Sequence, residues 1–201
     1  LEMDDLGQGL PMAKTLRGAD VGVDITEAGL LKAYNDGATV WLRGCRERTA
    51  LPPNLDVLRY LEKIDASHCK KMNTLPPSIS ELHHLKELTL ANCAALEELP
   101  EDIGRLVSLE VLKTKLCNRM TTLPESIGDL KNLRELEAYQ AFSQSQMRTL
   151  PASIANLVSL AKLHLQNLPH LTELPDSLCR LAKLEELCLT GCVSLVALPD
   201  Q

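Results

Sequence analysis

The sequence predicts an α/β solenoid. It is a curved stack of short units, each with one parallel β-strand on the concave side and a short helical or 3₁₀ turn on the convex side. Three observations predict it. Seven Leu-Pro pairs fall in phase, at Leu51-Pro52, Leu75-Pro76, Leu99-Pro100, Leu123-Pro124, Leu150-Pro151, Leu174-Pro175 and Leu198-Pro199, separated by 24, 24, 24, 27, 24 and 24 residues. Inside each interval the leucines switch from alternation to a spacing of three and four. Five of the seven cysteines recur at one position of the unit. A fixed period in this range marks a repeat architecture. Stacked repeats build an extended surface rather than a pocket.

The elements follow in chain order. Residues 1–36 read as an N-terminal cap. Residues 3–23, with glycines at 7, 9, 18 and 22, carry weak patterning and predict short helices or irregular structure. Asp24-Ile25-Thr26-Glu27 resembles a capping pair, predicting a helix through Asn35 that Asp36-Gly37 ends. Repeats then occupy residues 37–201.

The unit from Leu85 to Leu106 shows the logic. Leu85, Leu88 and Leu90 stand at positions one, four and six, and the alternation around Thr89 predicts a strand with one buried face. Cys93 stands at position nine. Leu96, Leu99, Ile103 and Leu106 suit a helical or 3₁₀ turn whose length Pro100 limits. Seven strand cores are predicted: Val40-Trp41-Leu42, Ile64-Asp65-Ala66, Leu88-Thr89-Leu90, Leu112-Lys113-Thr114, Leu136-Glu137-Ala138, Leu163-His164-Leu165 and Leu187-Cys188-Leu189. The first unit departs from the pattern, with Gly37 at position one and Arg48 at position twelve. One unit alone should not fold. A buried leucine contributes roughly 1.5–3 kcal/mol, against a backbone ordering cost of about 1–2 kcal/mol per residue, so neighbours must supply the burial.

Composition narrows the function. A formal net charge of −6 with interspersed signs argues against a nucleic-acid partner. No apolar run is long enough to span a membrane, and no secretory leader is visible. Leu1-Glu2 ahead of Met3, and an end at Gln201 in mid-repeat, lead us to expect a piece of a longer protein, truncated at its C-terminus. The cysteines follow the repeat rather than an even disulfide framework, which predicts reduced thiols in an intracellular, reducing compartment. Position nine reads Cys45, Cys69, Cys93, Cys117, Ala141, Leu168 and Cys192. A metal site of this kind would need four thiolates at one point, and a column of thiols one repeat apart does not bring them together, so neither a metal nor another cofactor is expected in the chain.

The pattern L-x-x-L-x-L-x-x-C, followed by L-x-x-L-P-x-x-I-x-x-L, resembles the leucine-rich repeat over residues 37–201. In that family position nine points inward and helps satisfy loop backbone groups, a role that suits cysteine. The variant in Cys93–Leu106, Cys117–Leu130 and Cys192–Pro199, with Leu150-Pro151-Ala152-Ser153-Ile154-Ala155-Asn156-Leu157, is similar to two intracellular groups. One is the repeat-bearing type III effectors of plant-pathogenic bacteria, of the Xanthomonas outer protein L type. There the resemblance implies a substrate-recognition arm beside a separate catalytic domain, sometimes a ubiquitin ligase. The other is the sensing region of plant nucleotide-binding immune receptors.

Positions two, three, five, seven and eight should face the concave side. Position five reads Trp41, Asp65, Thr89, Lys113, Glu137, His164 and Cys188; position seven reads Arg43, Ser67, Ala91, Lys115, Tyr139, Gln166 and Thr190. The chain has only five aromatic residues, and Trp41 and Tyr139 fall on this strip, with Phe142 just beyond it. Aromatic and arginine side chains are the usual anchors of interfaces. The candidate protein-binding residues are therefore Trp41, Arg43, Asp65, Lys113, Lys115, Glu137, Tyr139, Phe142 and His164. The three extra residues of the 27-residue interval fall between Ala141 and Met147, and insertions in solenoids become loops on one face. The expected partner is a host or cellular protein, bound by a monomer through the concave face and the 142–146 loop. No catalytic motif appears, which predicts a non-enzymatic domain. A thiol enzyme using Cys188, with His164 one strand away on the same face, is the alternative from another class.

Overall fold

The computed structural model describes residues 14–17, 38–41, 49–140 and 146–199, with the backbone alone over 14–17 and 38–41. Eight parallel strands form one sheet in sequence order: β1 Lys14–Arg17, β2 Ala38–Trp41, β3 Lys63–Asp65, β4 Glu87–Thr89, β5 Val111–Lys113, β6 Glu135–Glu137, β7 Lys162–His164 and β8 Glu186–Cys188. Each strand begins one or more residues ahead of the expected core, because the backbone pairing starts at position three. The register repeats the sequence period. Leu88 pairs with Leu112 and Leu112 with Leu136, whereas Leu136 pairs with Leu163, so the three extra residues are absorbed in the connection without slipping the sheet.

The expectation of short helices or irregular structure over 3–23 is corrected at β1. Lys14 pairs with Ala38 and Arg17 with Trp41, the same offset as elsewhere in the sheet. The sheet thus has eight strands where the pattern gave seven. The signal was faint because Leu16 alone keeps a leucine position, with Ala13 and Gly18 at positions one and six. The expected helix from Asp24 to Asn35 lies outside the described residues.

Between strands the convex side is made of 3₁₀ turns at Leu55–Leu58, Pro77–Glu81, Ile103–Arg105, Glu125–Asp129, Ala152–Asn156 and Asp176–Arg180. At Pro76, Pro124, Pro151 and Pro175 the proline of the Leu-Pro pair opens the turn rather than cutting it short. Pro76, Pro124 and Pro151 are extended, at φ −67°, −68° and −65°, each just ahead of its turn. Their carbonyls accept from the N–H groups of Ile79, Ile127 and Ile154 at 3.0, 3.0 and 3.1 Å. Proline suits this place because its fixed φ matches and its missing N–H is not needed.

The core is one continuous leucine column set. Leu85, Leu88, Leu90, Leu96, Ile103, Leu106, Leu109 and Leu112 are fully buried, and their equivalents in neighbouring repeats extend the stack. Leu184, Leu187, Leu189 and Leu195, in the last described repeat, are only partly buried. Position six lies just past the strand, where its carbonyl has left the ladder. Position nine supplies it with a donor: the thiols of Cys93, Cys117 and Cys192 donate to the carbonyls of Ala66, Leu90 and Leu165 at 3.2, 3.1 and 2.9 Å. The Cys93 thiol is pushed up to about 12, chiefly by its hydrogen bond with Cys117, with burial adding to it. Burial likewise raises the Cys192 thiol. Cys93 and Cys192 are therefore protonated donors, not nucleophiles. Native-state labelling with a maleimide, read by peptide mass spectrometry, should modify exposed Cys179 and half-buried Cys188 while sparing Cys69, Cys93, Cys117 and Cys192. Rapid labelling of Cys93 in the folded chain would show that the column is open.

Candidate protein-binding face

Because β-strand side chains alternate, positions three and five of each strand project from the sheet on the side opposite the leucines. In-register parallel pairing then stacks equivalent positions into rows. The position-five row runs Trp41, Asp65, Thr89, Lys113, Glu137, His164, Cys188 in the observed register. Asp65, Lys113, Glu137 and His164 are half-buried on this face, as are Lys115 and Tyr139 at position seven. Ser67 and Ala91, also at position seven, are buried. For Trp41 the backbone sits in β2 against Asp65, while its side chain, like Arg43, Phe142 and most of the 142–146 loop, lies outside the described residues.

The face is a ladder of opposite charges. Lys63 meets Glu87 at 3.2 Å and Lys86 meets Glu62 at 2.7 Å. At the centre, Lys113 donates to Glu135 at 2.7 Å and to Glu137 at 2.9 Å, and Lys115 lies 3.9 Å from Glu137. Lys162 and His164 both approach Glu186, at 3.8 and 3.0 Å. Three expected binding residues, Lys113, Lys115 and Glu137, are thus brought together, and they neutralise one another. Asp65 accepts the backbone N–H of Ser67 at 2.9 Å, which ties its carboxylate to the strand exit.

Burial pulls the Lys113 ammonium down, but its hydrogen bonds to Glu135 and Glu137 more than offset this, and its pKa is raised. The hydrogen bond from Lys113 holds the Glu135 carboxyl below the usual carboxylate range. The stability linked to Glu135 is therefore present above its unfolded value of about 4.3 and is lost as pH falls through the lower folded value. That linked to Lys113 is present below about 10.4 and is lost as pH rises through the raised folded value. Lys113→Ala should cost about 1–3 kcal/mol at pH 7, because it strands two partly buried carboxylates. Urea unfolding at pH 7 and pH 3.5 checks this: the deficit should shrink at the lower pH, and an equal deficit at both would show that lost packing, not charge, is responsible.

Position three was overlooked as a source of binding residues. It reads Lys63, Glu87, Val111, Glu135, Lys162 and Glu186, and the opposite charges one repeat apart, Lys63 with Glu87, Glu135 with Lys162 and Lys162 with Glu186, were a visible signal. Gln140 was also missed. It stands at position eight, is buried, donates from Nε2 to the Met120 carbonyl at 3.2 Å, and accepts the Gln146 N–H at 3.2 Å. One side chain thus ties the exit of the inserted loop to the preceding repeat. Elsewhere position eight turns the chain through the left-handed region, at His68, Asn92, Leu116, Asn167 and Gly191.

A groove of about 640 Å³ lies away from this face and is open to solvent along Glu97, Glu98, Arg119 and Gln146. It lacks the enclosure and apolar lining of a small-molecule site. Among the described residues no helix is long and apolar enough to cross a membrane.

A one-residue-wide ladder of rows, presented on a curved parallel sheet and backed by a leucine stack, defines a repeat scaffold for protein–protein interaction. Residues 41–144 match the family described as a leucine-rich repeat region, and the chain belongs to that family. No curated protein is similar enough to the chain to count as a relative. Among solved structures, a leucine-rich repeat protein of Leptospira interrogans is 28% identical, with a TM-score of 0.59 over 71% of this chain and 34% of that one. The leucine-rich repeat domain of the type III effector XopL is 26% identical, with a TM-score of 0.62 over 94% of this chain and 71% of that one. The PEPR1-AtPEP1 structure, at 22% identity and a TM-score of 0.51 over 71% of this chain and 20% of that one, shares the fold. The chain thus spans about a third of the Leptospira protein and resembles the XopL repeat domain along most of its own length.

Proposed function

We propose that this chain is the host-target-binding repeat domain of a bacterial type III effector, secreted by the bacterium into the host cytoplasm, and that it binds protein without catalysing a reaction. The observation that carries the reading is the likeness to the XopL repeat domain over 94% of the chain. In this reading the solenoid is the substrate arm of an effector, serving a ubiquitin ligase where such a catalytic domain accompanies it. The partner lies along the concave rows as one protein on a monomeric solenoid. It contacts Trp41, Arg43, Asp65, Lys113, Lys115, Glu137, Tyr139, Phe142 and His164, together with the 142–146 loop. The self-paired charges favour a partner whose own charges can replace these ion pairs, since an unreplaced pair costs more to desolvate than it returns.

The test is affinity capture from plant-cell extract by the wild-type chain and by Tyr139→Ala and Glu137→Lys. Both variants should lose the captured protein and keep the wild-type circular dichroism spectrum; Tyr139→Ala should also keep the melting temperature, whereas Glu137→Lys, which sets a third cation beside Lys113 and Lys115, should melt lower. Undiminished capture by both would place the interface elsewhere. The sensing region of a plant nucleotide-binding receptor is the second reading, favoured by the Cys-x-x-Leu-x-x-Leu-Pro variant that both groups share. A nucleotide-binding domain encoded upstream would decide for it.

A further inference from the structure

The charge ladder changes character between β7 and β8. Elsewhere on the face a lysine or arginine meets a carboxylate. Here the converging groups are an imidazole, a carboxylate and a thiol. His164 pairs in register with Cys188, which sets the two side by side on the same face. Glu186 lies two residues before Cys188 and so shares that face. The donor atoms of His164, Glu186 and Cys188 all lie within 4.8 Å of one another, and each residue is half-buried.

His164 Nε2 is the telling atom. It is shielded from solvent and has no hydrogen-bond partner. Glu186 Oε1 is 3.0 Å away, close enough for attraction, but the approach lacks hydrogen-bond alignment. A buried nitrogen without a partner is costly unless something else fills the position. Lys162 lies 3.8 Å from the other carboxylate oxygen, Oε2 of Glu186, and leaves Oε1 turned toward the imidazole. Cys188 is a free thiol.

We propose that His164, Glu186 and Cys188 form a three-ligand site for a zinc-class divalent cation on the concave face. Zinc takes nitrogen, sulfur and oxygen ligands tetrahedrally at about 2.0–2.3 Å. Drawing the three donors from their present separation to that geometry takes side-chain rotation only, because the register of β7 and β8 already aligns the Cβ atoms. The combination of thiolate and imidazole selects zinc, cobalt or copper over magnesium or calcium. On binding, the Cys188 sulfur loses its proton to solvent and forms the metal–sulfur bond. The thiolate and the Glu186 carboxylate then balance the charge of the cation. Three protein ligands leave the fourth position to water or to a side chain of a bound partner.

Cobalt(II) is the probe. The reduced full chain, titrated with cobalt(II), should show one equivalent of binding, the intense visible bands of a tetrahedral site, and a thiolate-to-cobalt band in the near ultraviolet, all displaced by zinc(II). Cys188→Ser should remove the thiolate band. His164→Asn and Glu186→Gln should each weaken affinity by at least about tenfold. Cys179→Ser, which removes an exposed thiol elsewhere, should leave the spectrum unchanged. Circular dichroism of each variant confirms that the fold is retained. Absence of a thiolate–cobalt band in the wild type, or its survival in Cys188→Ser, would overturn the site.

Discussion

Leu112→Ala should lower the stability of the chain by about 3–5 kcal/mol, at the upper end for a buried leucine truncation. Leu112 is fully buried at position four of β5, and it pairs in register with Leu88 on one side and Leu136 on the other. Truncation therefore leaves a cavity that two interfaces share. In a globular core the surroundings can close in from all directions. In a solenoid they are held by the backbone ladder, which fixes the distance between repeats, so collapse is restricted. A second effect is particular to repeat proteins. Their cooperativity is carried by nearest-neighbour interfaces, and weakening a central one should let the two halves of the stack unfold separately. Urea unfolding should show a lower midpoint together with a broadened or two-step transition. Val107→Ala, at an exposed position of the preceding repeat, should stay within about 0.5 kcal/mol of wild type. A single sharp transition with a small shift for Leu112→Ala would mean that the packing around Leu112 does not carry the coupling between repeats.

Gly128→Val should be nearly as damaging, at about 3 kcal/mol, but through overpacking rather than a cavity. Gly128 lies buried in the 3₁₀ turn Glu125–Asp129, against the turn Ala152–Asn156 of the next repeat. A Cβ at residue 128 would stand 2.3 Å from the Ser153 carbonyl oxygen and 2.8 Å from Ser153 Cβ. The obstacle is backbone, which cannot swing aside, so the two turns must separate. Gly104 is held the same way: a Cβ there would stand 2.3 Å from the Ser126 carbonyl oxygen. Position twenty is Ser80 and Ala155 in other repeats, so the requirement is local to these two tight junctions. Gly128→Ala should cost less than Gly128→Val. Hydrogen exchange should localise the loss of protection to the turns on either side, with the β-ladder of β5 and β6 retained. Wild-type stability in Gly128→Val would show that the turns are not in contact in solution.

Most of the architecture was legible because one physical constraint is repeated many times. A strand of three residues is a weak signal alone. Set at a fixed offset from an alternating leucine set, it becomes unmistakable, and β3 to β8 follow the predicted order and spacing. The same alignment assigned the cysteines to a buried column, and the thiol–carbonyl bonds of Cys93, Cys117 and Cys192 give the reason. β1 escaped because Leu16 is the one apolar residue left to carry its repeat. The role of proline was misread for a different reason: sequence shows that Pro interrupts a helix, but not whether it stands before or inside the turn. The candidate face was legible as a set of positions and much less as a set of interactions. Lys113 and Glu137 were identified singly, yet their pairing with each other and with Glu135 depends on which rows lie side by side. The convergence of His164, Glu186 and Cys188 needs both the row and the diagonal, and the linear spacing of 22 and 24 residues conceals it.

The most direct test of the account is site-specific photocrosslinking to the captured partner. A photoreactive phenylalanine analogue is placed in turn at Thr89 and Tyr139 on the concave rows, and at Glu101 and Asp129 on the exposed convex side. Adducts from the two concave positions, with none from the convex pair, are the predicted result. Adducts from Glu101 or Asp129 in the absence of any from Thr89 or Tyr139 would contradict it.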